Sequence, residues 1–418
     1  AYRLLKTSLY CAIDTSVRVP VEDIQMKRRA LLQSAGVLTV VVAAGGVWRT
    51  TTQGVTSVGR GPAYEPWRDW RSDSSSGPLA LVRAGILASN PHNTQPWLFR
   101  INPGKIDLYA DTARNLGSFD PYLREMHIGL GCAVENMLLA ATANGYAVAL
   151  TMPAGNLTDL PQREQPALVA RFALSASERS ADPLFEQIPL RQTNRGPYIP
   201  DQRPDEKTLE GVRQITAADP HVRTFLFADA APRKAFGELV VSTTQTIIND
   251  ASMVADSEHW FRHDGAELQR LRDGVTLDAA GLPPLMTAIA KLLPPSSPET
   301  NHRYWLEGTR DVHVATAPVF GVLAVRDRYD RPQALQAGRI WQRLHLWATA
   351  QGLAMQPLNQ PVELVDRQRQ LQQPATIEKA LADLTGEPDW QPTFAFRLGY
   401  PLRQANLSPR RNVQSVLL

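Results

Sequence analysis

Cysteine is almost absent from this chain. Two residues in 418, Cys11 and Cys132, exclude a disulfide framework and a cysteine-rich zinc site. A dominant charge sign is missing as well. Lys and Arg number 44 against 41 Asp and Glu, a net +3 that is too small over this length to favour a nucleic-acid partner. Three catalytic signatures are also lacking: the chain has no Gly-x-Ser-x-Gly elbow and no P-loop, and Gly129-Leu-Gly131 lacks the third glycine of a dinucleotide fingerprint. His259 and His263 stand at i and i+4 but lack the Glu after the first His that would complete a metalloprotease motif, and no third ligand is evident, so they read as surface or lid histidines and no metal is expected. What is present is an ordinary globular composition, 43% hydrophobic and 20% charged, long enough for two or three domains.

The N-terminal region reads differently from the rest. Residues 1–25 have no clear periodicity and are set aside as a leader. Met26-Lys-Arg28-Arg29 then precedes an apolar run from Ala30 to Val47. Adjacent arginines before a modestly apolar stretch resemble a twin-arginine export signal. Eighteen helical residues would also reach about 27 Å, nearly a membrane span, so 26–50 reads as a signal peptide or a retained anchor. The expected location is therefore exported, or tethered to a membrane. Residues 51–78 read as a linker.

A repeat organises the remainder. Gly131-Cys-Ala-Val-Glu-Asn-Met-Leu-Leu-Ala-Ala-Thr-Ala-Asn-Gly145 aligns without a gap, at an offset of 207, with Gly338-Arg-Ile-Trp-Gln-Arg-Leu-His-Leu-Trp-Ala-Thr-Ala-Gln-Gly352. Both copies have helical apolar spacing and end in a glycine suited to the left-handed C′ position. Strand-like runs follow, at Ala147 to Met152 and Ala167 to Leu174 in the first copy and at Thr393 to Leu398 in the second. Duplication predicts two like halves, 79–183 and 184–418, packed as a pseudo-dimer. Dense turn residues between 256 and 313 predict an inserted, loop-rich excursion.

Two segments carry candidate chemistry. Ser89-Asn-Pro-His92-Asn93-Thr-Gln95-Pro-Trp97 is a polar, proline-braced loop leading into a strand. Arg191-Gln-Thr193-Asn-Arg195 presents two guanidiniums and a hydroxyl at alternate positions, a set suited to phosphate, and Arg410-Arg411 adds two cations near the end of the chain.

These segments resemble the FMN-dependent nitroreductase superfamily. The 89–97 segment is similar to its Asn-x-Gln-Pro-Trp signature, and 191–195 to its opening Arg-x-Ser-x-Arg phosphate motif. Gly352 to Gln360 resembles the loop under the flavin ring, and Arg397 to Arg411 the closing strand and tail. The motif order and the duplicated length are most similar to the Acg-like branch, in which two such domains are fused. The fold class so implied is α+β: a nitroreductase-like fold duplicated in one chain, each half an antiparallel sheet flanked by helices, with a lid insertion.

The resemblance implies one FMN per chain, between the halves, with one chain sufficient for the site. Arg191 and Thr193 would hold the phosphate, reinforced by Arg410 and Arg411. Arg195 would lie nearer the ribityl chain and the pyrimidine edge. Pro357, Leu358, Asn359 and Gln360 would run under the ring, with backbone groups of 358–360 facing N5, and His92 and Asn93 would approach from the other half. No side chain is assigned as catalytic, because the flavin carries the hydride. The implied function is an FMN-dependent oxidoreductase that reduces small nitro- or quinone-like acceptors, with NAD(P)H as candidate donor. The alternative is an FMN storage protein with a lid closed over the ring. No second site is expected, because Asp219-Pro-His221 echoes Asn90-Pro-His92 but is followed by none of the loop's Asn, Gln and Trp.

Overall fold

The computed structural model describes residues 53–55, 57–71, 77–159, 166–217, 219–294 and 296–418. The leader expected over 1–25 and the signal or anchor expected over 26–50 lie outside the described residues. Residues 57–418 form one compact unit.

In the first half a short helix α1 (Glu65–Asp69) and helix α2 (Pro78–Gly85) precede a hairpin, β1 (Trp97–Asn102) and β2 (Lys105–Ala110), turned by Gly104 at φ +70°. A long helix α3 (Arg124–Ala143) leads to β3 (Tyr146–Thr151) and β4 (Ala167–Ala176). The four strands form an antiparallel sheet in the order β1-β2-β4-β3.

The second half repeats this plan. Helix α4 (Glu206–Ala217) leads into β5 (Arg223–Phe227). The connection to the next strand of the sheet then runs through α5 (Ala230–Ile248), α6 (Ala251–Glu258), β6 (Phe261–Arg262), α7 (Gly265–Leu271), β7 (Val275–Thr276), α8 (Pro284–Leu292) and α9 (Pro298–Gly308). The sheet resumes with β8 (Val319–Val325), the long helix α10 (Arg331–Ala350), β9 (Ala354–Pro357), helices α11 (Gln360–Gln370) and α12 (Thr376–Thr385), and β10 (Gln391–Gly399). Its antiparallel order, β5-β8-β10-β9, is the first sheet's order strand for strand, with the long helix again between the second and third strands. The insertion is therefore larger than the expected 256–313. It occupies everything between β5 and β8, where the first half has a tight hairpin.

The two long helices carry the repeat, and each ends as its sequence predicts, at Gly145 (φ +82°) and Gly352 (φ +71°). They cross at the repeat's opening glycines. A Cβ at Gly131 would strike the Leu335 carbonyl oxygen, and one at Gly338 would strike that of Ile128. Leu335 lies 207 positions after Ile128, so the contact is reciprocal, as between elements related by a two-fold axis. Helix α3 is the one described helix long and apolar enough to cross a membrane, and it is a core helix with 83% of its apolar window buried. Cys132, at the same crossing, donates to Gly338 O at 3.3 Å, and burial pushes its thiol pKa well up.

The expected linker is, where described, part of the core. Tyr64, Trp67 and Trp70 are buried, and Trp67 Nε1 donates to Ser408 O at 2.8 Å. Three large aromatic side chains give this short segment enough apolar surface to pack.

Alanine at Gly131 or at Gly338 would gain about 1 kcal/mol of helix propensity. The clash with a backbone oxygen outweighs that gain, and each variant is expected to lose about 3 kcal/mol in urea unfolding. The reciprocal geometry predicts similar losses at the two positions. A neutral result at either would contradict the crossing.

Candidate active site

The 89–97 loop is set on α3 by a missing side chain. A Cβ at Gly129 would crowd Asn90 and Pro91, so the loop lies directly on the helix. Asn90 Oδ1 accepts the Gln95 amide at 2.8 Å, closing a tight turn in which His92, Asn93 and Gln95 all have positive φ (45°, 56° and 52°). Left-handed backbone at three non-glycine residues is strained and needs outside support.

That support comes from the chain's last turn and from the insertion. Asn93 Nδ2 donates to Pro409 O (3.0 Å) and to Gly274 O (3.1 Å), while its Oδ1 accepts from Arg410 Nη1 (2.5 Å). Gln95 Oε1 accepts the Arg411 amide at 2.8 Å. His92 Nε2 lies 3.1 Å from Ser257 Oγ of the insertion, and burial, then nearby Arg195, pushes its pKa down to about 4.

The predicted cations separate into three groups. Arg191 and Arg410 come together in the interior, 2% and 3% exposed. Arg191 Nη2 donates to Leu87 O and Arg410 Nη2 to the adjacent Ala88 O, and Arg410 lies over the Trp67 ring at 4.7 Å. Nε and Nη1 of Arg191 and Nε of Arg410 are buried without acceptors. Among the described residues no carboxylate pairs with either guanidinium. Burial draws the Arg191 pKa down to about 10; burial and then Arg191 lower that of Arg410. Two buried, mutually repelling cations with unspent donors fit an anion such as phosphate.

Arg195 forms a second group, with Nη1 on Ala279 O at 3.3 Å and with His92, His313, Tyr198 and Arg397 in its electrostatic surroundings. Arg411 is the exception among the expected phosphate ligands. Its guanidinium turns to Gln95 O and Ser415 O, beside Arg114 and Asp273. It is not brought together with Arg191, because its guanidinium is committed to the carbonyls of Gln95 and Ser415.

Thr193 bridges through its backbone to Met355, and the Asn194 amide donates to Met355 O at 3.1 Å, which sets the 191–195 segment along the edge of β9. Pro357 ends that strand. The expectation for Leu358 needs correcting: its amide donates to Ala395 O at 2.8 Å and its side chain is in the core, so it has no free backbone donor for a ring. Asn359 Oδ1 accepts the Ala395 amide at 2.8 Å, and its side chain also bonds Glu125. Gln360 Oε1 is buried without a partner.

Several contributors escaped sequence reasoning. Trp67, under Arg410, sits in the segment expected to be a linker. His345 is buried near Arg191, with Nε2 3.2 Å from Gln192 O, and was visible only as a repeat position. Gln342 Oε1 accepts the Ser89 amide at 3.1 Å.

The counterpart location in the other half differs. Asn90 rests on Gly129, and Asp219 bonds Gln336, the residue 207 positions on. A cleft of about 700 Å³ opens there, lined in part by Glu135, Asp182, Arg339 and Arg343. Its arginines are neutralised, Arg339 by Glu135 and Arg343 by Glu135 and Asp182.

No protein-family model matches the chain. Two Mycobacterium tuberculosis proteins provisionally named NAD(P)H nitroreductases, MT3217 and Rv3131, are similar to it at 24% identity over 348 residues, which is 81% of this chain and 90% of theirs. That similarity extends along most of the chain. Among solved structures, the FMN-dependent nitroreductase NfnB from Mycobacterium smegmatis, in complex with NADPH, aligns with 55% of this chain and 94% of its own. Its identity is 17% and its TM-score 0.34. A provisionally described nitroreductase from Anabaena variabilis aligns with 71% of this chain and 69% of its own, at 14% identity and a TM-score of 0.39.

Behind the 357–360 loop, burial raises the Glu125 pKa to about 8, and burial with the nearby Glu125 raises that of Glu363 well above the carboxylate range. A carboxyl whose folded pKa is raised contributes stability below its unfolded pKa, near 4.5, and loses it as pH rises through 8. Glu125→Gln, which cannot ionise, is expected to flatten the fall in Tm between pH 5 and 8.5, and to gain on the wild type at the alkaline end. Parallel Tm–pH curves for the two proteins would exclude this.

Proposed function

We propose that this chain is an FMN-dependent NAD(P)H oxidoreductase that binds one flavin per chain and reduces small nitro- or quinone-like acceptors. The observation that carries the reading is the Arg191–Arg410 pair, buried, uncompensated and holding unspent N–H donors. A phosphate there would offset the repulsion and the desolvation together. The two similar Mycobacterium tuberculosis proteins, provisionally named NAD(P)H nitroreductases, support the same class.

Bound FMN would supply the hydride chemistry. The chain's own residues do the holding. Arg191 and Arg410 bind the anion, Asn93 orients Arg410, and Trp67 packs against that guanidinium to exclude water. Arg195, set near His92, supplies positive charge between the loop and the second half. His92 is held neutral at physiological pH, so it hydrogen-bonds there without adding a cation. The two halves act as the two subunits of a pseudo-dimer. The counterpart cleft has spent its arginines on Glu135 and Asp182, which supports a single flavin.

A storage role is the second reading, favoured by the many bonds that tie the insertion to the 89–97 loop. Anaerobic mixing separates the two: bleaching of bound flavin by NADPH or NADH supports the oxidoreductase, and bleaching by dithionite alone supports storage.

Reconstituted protein is expected to release one equivalent of FMN per chain on denaturation. Arg191→Met and Arg410→Met should each weaken FMN binding about 10- to 100-fold, as for the loss of a charged hydrogen-bond partner. Two equivalents, none, or unchanged affinity in both variants would overturn the assignment.

A further inference from the structure

The insertion contributes more than a cover. Three consecutive residues after α7 grip three consecutive residues of the 89–97 loop. Arg272 O accepts from Gln95 Nε2 at 2.8 Å. Gly274 exchanges two bonds with Asn93: its amide donates to Asn93 O, and its carbonyl accepts from Asn93 Nδ2, both at 3.1 Å. Between them, Asp273 acts on Thr94 through Arg114, whose Nη2 donates to Asp273 Oδ2 and whose Nε donates to Thr94 O.

Asp273 is 3% exposed, and its other oxygen takes Nε and Nη2 of Arg262, at 2.9 and 2.8 Å. One buried carboxylate thus joins a cation from the insertion to a cation from the first half. Local backbone fits this use. Gly274 has φ +76°, and a Cβ there would strike the Trp260 carbonyl oxygen; Arg272 is also left-handed, at φ +57°. Two of the gripped residues, Asn93 and Gln95, are left-handed and strained, and they in turn hold the tail. Asn93 bonds Pro409 and Arg410, and Gln95 bonds the Arg411 amide.

We propose that Arg272-Asp273-Gly274 is the template that sets the 92–95 loop and, through it, Arg410, with Asp273 as a positioning residue for anion binding. The anion-binding part rests on the functional reading above; the setting of the loop does not. A loop with three left-handed residues relaxes when its outside bonds are lost, and Asn93 then leaves Arg410 without its orienting acceptor.

The test uses the full chain with Asp273→Asn and Arg114→Met. The second variant keeps the Asp273–Arg262 pair and carries the test if the first fails to fold. Asp250→Asn, which breaks the insertion's ion pair with Arg367, is the control. Amide hydrogen exchange is followed at residues 93–95 and 411 in flavin-free protein, and FMN affinity by fluorescence quenching. Both variants are expected to speed exchange at those amides and to weaken FMN binding about tenfold, while Asp250→Asn changes neither. Unchanged exchange in the variants, or the same change in the control, overturns the proposal. If the wild type takes up no FMN, the functional reading falls alone, and the exchange measurement still decides whether the template sets the loop.

Discussion

The structure depends on two helices approaching closely enough for backbone to meet backbone. At Gly131 and Gly338 each helix offers the other a carbonyl oxygen where a side chain would stand. Close approach at that point lets Gln342 of one helix reach Asn136 of the other, at 2.8 Å, and lets the first half's Ser89 reach Gln342. The inter-half site is therefore held from beneath by the same crossing that joins the halves. Because the contact is reciprocal, it generates two equivalent locations, which then diverge in their side chains and in the inserted segment that reaches only one of them.

That divergence is electrostatic. One location has Gly129 under its loop and a pair of unneutralised guanidiniums nearby; the other has Gln336 under its loop and arginines matched to carboxylates. Glu135 of the neutralised location and Gln342 of the other are repeat partners, 207 residues apart. The exchange of an acid for its amide tracks the loss of free positive charge. An ion pair satisfied within the protein gains little from a new anion, whereas a buried, unpaired guanidinium gains a great deal.

The parts legible in the sequence were those governed by local chemistry or by periodicity. The repeat glycines, the helix ends at Gly145 and Gly352, the strands after each long helix and the polar loop at 89–97 follow from spacing and turn residues alone. The insertion was legible as turn-rich from 256, but its start was not, because α5 has an ordinary helical sequence and nothing local marks the missing hairpin. Trp67 was missed because a short segment between polar stretches reads as linker unless its partner is known, and that partner, Arg410, lies more than 300 residues away. Adjacent arginines such as Arg410 and Arg411 look alike in sequence. The two side chains part company all the same: one goes to Asn93 and the other to Ser415.

The insertion changes how such a site is maintained. Beside its bonds to the tail, the loop at 92–95 draws support from a segment found in only one half. The insertion in the second half thus supports the loop of the first half, across the interface, and the first half carries no corresponding segment beside 219–221. A duplicated chain can make such a change in one half alone. A symmetric dimer of identical subunits cannot, since every insertion appears twice.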